Sequence, residues 1–120
     1  MVENKEREER IAMEIIVDTY DSQECAMGWY CYLEDNLAFP FKAHLAEPNL
    51  PLEKCAVATV IGMDSQSDCL GGMFVECEDD ELAFSYELEN IYPIDKTAAL
   101  AKTNEAIEDW RYWIGRGYRF

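Results

Sequence analysis

Basic residues are scarce in this sequence and histidine nearly missing. Only 10 Lys and Arg stand against 25 Asp and Glu, and the formal charge is −15. A phosphate backbone is gripped by clustered cations, so an extended nucleic-acid footprint is excluded, and an anionic membrane surface would repel the chain. Long apolar runs are also absent. The longest, Cys25–Leu33 and Cys55–Met63, reach nine residues each, whereas a membrane span takes roughly 20. The opening MVENKEREER is charged and has no signal-type apolar segment behind it, which points to a cytoplasmic protein. No Cys-x-x-Cys pair occurs among Cys25, Cys31, Cys55, Cys69 and Cys77, and His44 is the sole histidine. A zinc site is therefore not supported, and small buried thiols in a reducing compartment account for the cysteines. What the chain does have is apolar substance: 49% hydrophobic and 12% aromatic residues exclude a disordered acidic tail. Its 120 residues suit one domain.

Charge is unevenly placed. The 41 residues between Lys54 and Lys96 hold ten carboxylates and no Lys or Arg, and residues 11–41 add six more carboxylates with no base. The first ten residues are nearly balanced, and the last 25 carry five bases and three acids. The negative charge belongs to the middle of the molecule.

Periodicity predicts an α+β single domain, helical over 1–38, stranded over 39–93, and helical again over 95–115. Ile11, Ile15 and Thr19 or Tyr20 recur at helical spacing. Asp21-Ser22-Gln23-Glu24 has the form of a capping box, opening a second helix with Ala26, Tyr30, Leu33 and Leu37 on one face. Pro40 ends it and pushes Phe39 into an extended conformation. Strands are predicted at Phe41–Leu45, Ala56–Met63, Met73–Cys77, Leu82–Leu88 and Asn90–Tyr92, separated by proline, Gly-Gly and acidic turns. Asp95 is expected to cap a last helix with Leu100, Thr103, Ile107, Trp110 and Ile114 on one stripe. Short strands joined by tight turns suit a small SH3-like partial barrel. That topology would bring Glu34 and Asp35 near the loop of Asp64 and Asp68, and would put the Asp79–Glu81 turn at the opposite end.

Crowded carboxylates repel one another, and a bound cation relieves them. Hard oxygen donors without thiolate or imidazole favour calcium or magnesium. Asp64-Ser65-Gln66-Ser67-Asp68 places oxygen-bearing side chains at alternate positions, as a cation-wrapping loop does. As an EF-hand it fails: Cys69 stands where glycine makes the turn, and Val75 where a bidentate Glu belongs. The second candidate is Glu76-x-Glu78-Asp79-Asp80-Glu81, with Glu76 and Glu78 on one strand face and Asp79, Asp80 and Glu81 at the tip. Solvated turns that blunt a sheet edge are the alternative for both segments. Asp18, Asp21 and Glu24 read more simply as helix capping. Candidate metal ligands are therefore Asp35, Asp64, Asp68, Asp79, Asp80 and Glu81. No catalytic reading follows from a lone His44 in a strand of so short a chain.

Three stretches carry a resemblance: Arg10-Ile11-x-x-Glu14-Ile15-Ile16-Val17-Asp18-x-Tyr20; Ala26-Met27-Gly28-Trp29-Tyr30-x-Tyr32-Leu33-Glu34-Asp35-x-Leu37-x-Phe39-Pro40-Phe41; and Ala106-Ile107-Glu108-Asp109-Trp110-x-Tyr112-Trp113. With Val60-Ile61-Gly62-Met63 and Met73-Phe74-Val75, the sequence resembles the cyanobacterial calcium-binding protein family CcbP over nearly its whole length. The resemblance implies a small acidic protein that binds Ca2+ without EF-hands. It also implies a role in buffering or sensing free calcium linked with heterocyst differentiation. The competing reading is an acidic interaction module that docks on a basic protein partner.

Overall fold

The computed structural model describes residues 5–16, 22–64, 72–80 and 82–115, without the side chains of Ser22 and Gln23. Helix α1, Lys5–Arg10, runs into a π-helical turn, Ile11–Ile15. Helix α2 spans Ser22–Asn36. The strands are β1 (Phe41–Leu45), β2 (Val57–Met63), β3 (Phe74–Asp79), β4 (Leu82–Glu87) and β5 (Ile91–Pro93). Helix α3, Ala101–Gly115, ends the described chain.

The five strands form one antiparallel sheet in the order β4-β3-β2-β1-β5. Every expected strand is present, within a residue or two at its ends. The expected barrel is not what the pairing shows. β4 and β5 are the two edges, so the sheet is open. Only the short turn Leu88–Asn90 joins them, and β5 is three residues long. Alternation along β1 and β2 buries Phe41, Ala43, Leu45, Ala58, Val60 and Met63 on one face, and α2 and α3 cover that face in place of closing strands.

The core is aromatic. Trp29, Trp110 and Trp113 meet at centroid distances of 5.2 to 5.7 Å, and Tyr32 sits edge-on to Trp29 at 6.1 Å. Helix α2 thus buries Ala26, Trp29 and Leu33, and Leu37 is buried just past its end. Trp29, rather than the expected Tyr30, lies at the centre of the stripe, because three-residue spacing brings the larger indole under α3. On another face, Gly28 lets α2 come close to the π-helical turn: a Cβ there would stand 2.5 Å from the Ile15 carbonyl oxygen. On α3, Thr103, Ile107 and Trp110 are buried as expected, joined by Ala106, Asp109, Tyr112 and Trp113. The capping expectation shifts by two residues. The Thr97 hydroxyl accepts from Ala99 N–H to start a 3-10 turn at Ala98, while Asp95 accepts from Thr97 N–H one turn earlier. The Asp21 capping box lies outside the described residues.

Asp109 is fully buried and charged, which is expensive unless its oxygens are satisfied. They are. Arg10 grips it bidentately at 2.6 Å through both terminal nitrogens, Arg7 donates at 2.9 Å, and the Tyr32 hydroxyl at 2.8 Å. The hydrogen bonds to Asp109 push the Arg10 guanidinium above its already high range. Burial, and then the bond to Asp109, push the Tyr32 hydroxyl up. One carboxylate thereby fastens α1, α2 and α3 together. Replacing it by a neutral amide leaves the two guanidinium groups to the exposed Glu108 and Glu105, each 3.6 Å away, as counter-charges. D109N should lower stability by about 3 kcal/mol, measured from the urea midpoint and slope. A loss below about 0.5 kcal/mol, the range of an ordinary surface change, would contradict this role.

Candidate metal centre

The outer face of the sheet, away from the helices, carries the carboxylates. Cross-strand partners share a face, so the register Gly62–Glu76–Ser85 forms one row across β2, β3 and β4, and Thr59–Glu78–Ala83 forms the next. A bulge between Val60 and Gly62 sets that register. It leaves Glu76 flanked by a glycine on one side and a serine on the other. Just past β2, Asp64 donates its N–H to the Phe74 carbonyl at 2.9 Å, and its Oδ2 accepts from the Ser85 hydroxyl. Asp64, Glu76, Ala83, Phe84 and Ser85 line a shallow cleft of about 270 Å³.

Of the sequence candidates, Asp64 therefore stands in a cleft with a second carboxylate, Glu76. Glu76 was grouped with the β3–β4 turn in the sequence, 12 residues from Asp64, and only the ladder brings the two together. Asp79 and Asp80 are exposed where β3 turns into β4. Asp80 has φ 52°, a left-handed conformation that aspartate tolerates in tight hairpins, so its residue type already has a conformational cause. Asp35 is exposed on the last turn of α2. Asp68 and Glu81 lie outside the described residues. Among the described residues no three His, Cys, Asp or Glu side chains gather as a metal cluster. Asp35 and the Asp79–Asp80 turn thus form no such group there with Asp64. The cleft supplies two carboxylates and a hydroxyl, the right donor type for a hard cation but fewer than the six to eight oxygens calcium takes.

The aromatic groups of the sequence are core residues. His44 is half-buried in β1, its Nδ1 3.4 Å from the Cys55 carbonyl oxygen. No helix among the described residues is long and apolar enough to cross a membrane. Asp109 is not among the sequence candidates, because an aspartate reads the same on a solvated helix face as in a core. Its position among Ala106, Trp110 and Trp113 was the available signal.

These features define a small acidic α+β protein with a surface cleft that offers hard oxygen donors from Asp64, Glu76 and Ser85. The family model of the CcbP proteins, described as calcium binding, matches residues 9–114. The crystal structure of Anabaena CcbP is 39% identical, with TM-score 0.85, covering 100% of this chain and 98% of that one. A solved calcium binding protein in the calcium-binding form is 41% identical, with TM-score 0.80, covering 98% and 95%. No curated protein matches the chain. The chain belongs to the CcbP calcium-binding family.

The site's charge reaches its neighbour through the sheet. Cys77, next to Glu76 but facing the core, is fully buried. Burial, helped by the Glu76 charge, pushes its thiol up to about 11. Cys31 is exposed. Iodoacetamide at pH 8 should therefore modify Cys31 readily and Cys77 only after unfolding, as read by peptide mass spectrometry. Comparable native-state labelling of both would contradict the placement of Cys77.

Proposed function

We propose that this protein buffers or senses free cytosolic calcium through surface carboxylates on the outer side of the sheet, with Asp64 and Glu76 at the principal site. Ser85 orients Asp64. Asp68, a few residues along the same loop, and water complete the shell. Asp79, Asp80 and Glu81 form a second, weaker site at the β3–β4 turn, and Asp35 adds negative potential from α2. Membership in a calcium-binding family and likeness to a calcium binding protein solved in its calcium-binding form support the choice of ion. The observation that carries the reading is the shared cleft of Asp64, just past β2, and Glu76 on β3, with no Lys or Arg among the described residues that line it. The resemblance to regulators of heterocyst differentiation supports a place in calcium signalling.

Ordering exposed side chains offsets part of the Coulomb gain, so dissociation constants on the order of 10⁻⁶ to 10⁻⁴ M are expected. Magnesium dehydrates reluctantly and demands tighter octahedral geometry, so it competes poorly. Binding to the folded state alone stabilises it by about 2.7 kcal/mol at a hundredfold excess over the dissociation constant. Thermal melts should therefore show a calcium-dependent rise in Tm that equimolar magnesium does not reproduce and that D64N and E76Q each reduce. Equal shifts with both ions, or an undiminished shift in both variants, would indicate diffuse screening.

A further inference from the structure

The two edges of the sheet differ in kind. β5 is a three-residue strand ending at Pro93, so it offers a short edge with one donor missing. β4 pairs with β3 through six consecutive registered residues without a bulge. Within Leu82–Glu87 there is no proline, lysine or arginine, and Leu82 at its start is 73% exposed. Among the described residues, its far side faces no strand. Alternate residues of an edge strand direct their N–H and C=O groups outward, ready to pair with an extended chain. The devices that blunt an edge are missing from β4.

A second copy of this protein is a poor occupant. Pairing two β4 strands would bring two outer faces bearing Glu76, Glu78 and Glu87 side by side in a molecule of charge −15. The same charges favour a basic guest. In the rows Glu76–Ser85 and Glu78–Ala83, the edge strand contributes only small side chains. Strands lie about 5 Å apart, so an Arg or Lys on a strand added beside β4 can reach over Ser85 or Ala83. Its head group then meets Glu76 or Glu78, and the 270 Å³ cleft opens on that path.

We propose that the β4 edge accepts an extended basic segment of another protein as a sixth strand, its alternate Arg or Lys side chains lying over Ala83 and Ser85 against Glu76, Glu78 and Asp64. Backbone pairing supplies the docking geometry, and the carboxylates select the partner's charge. This inference does not rest on the calcium reading, though the two share Asp64 and Glu76.

The test uses a fluorescein-labelled peptide of alternating Arg and Val, titrated with the full chain in EDTA, so that its outcome is independent of calcium. Anisotropy should show saturable binding that weakens as salt is raised, with no binding of a Glu-Val analogue. The double variant E76Q/E78Q, two exposed positions that leave the fold intact, should weaken binding about tenfold. N-methylation of alternate peptide residues should abolish binding in one phase and spare it in the other, because only one edge of the guest strand faces β4. Amide hydrogen exchange should show new protection within 82–87. Binding that tolerates N-methylation in both phases, protection in β5, or no protection in β4 would overturn the proposal. A peptide-independent dimer in sedimentation, with β4 already protected, would assign the edge to a second copy and overturn it equally.

Discussion

The buried carboxylate of Asp109 is the constraint on which the arrangement of charge depends. A chain with few cations has placed two of them, Arg7 and Arg10, on a single interior acid. A third, Arg111, is held at the other side of α3, where it donates to the carbonyls of Glu89 and Ile91 and stacks 3.8 Å over the Tyr92 ring. These arginines tie helices to one another and to the end of the sheet. Three arginines are thus committed to the helices and the sheet end. Among the described residues the outer face keeps one cation, Lys42 of β1, in the row Lys42–Thr59–Glu78, while Glu76 and Asp64 stand beside one another at the β2–β3 end.

From this follows a molecule with two different halves. The helical side packs a dry, aromatic core whose one buried acid among the described residues, Asp109, is neutralised by Arg7 and Arg10. The outer sheet is polar, acidic and built on small residues at the row positions next to Glu76. Repulsion among those acids raises the free energy of the compact state, and any divalent or guanidinium cation that joins them lowers it. In the proposed site, stability and ligand affinity draw on the same electrostatic strain.

Much of the fold was legible in the sequence because its signals are local. Period-two alternation marked β1, a run rich in β-branched residues marked β2, and helical spacing marked α2 and α3 to within a few residues. Errors arose where tertiary contact decided the outcome. Trp29 displaced Tyr30 from the centre of its stripe because indole packing against Trp110 and Trp113 is not a property of α2 alone. Thr97 took over the capping role expected of Asp95. The site was half legible. Asp64 stood out by spacing, but its partnership with Glu76 depends on a bulge between Val60 and Gly62 that shifts the register. No reading of the loop in isolation contains that pairing. Asp109 was invisible for a similar reason: a buried aspartate and a solvated one are the same residue until the chain folds.

The central claim is that the acids of the outer sheet face hold calcium by direct coordination. A crystal grown with calcium tests it most directly. The account predicts an ion bound to the Asp64 carboxylate with Glu76 in the same shell, at oxygen distances of about 2.3–2.6 Å. Calcium seated only elsewhere on the molecule, with the Asp64–Glu76 cleft holding nothing but water at saturating metal, would contradict it.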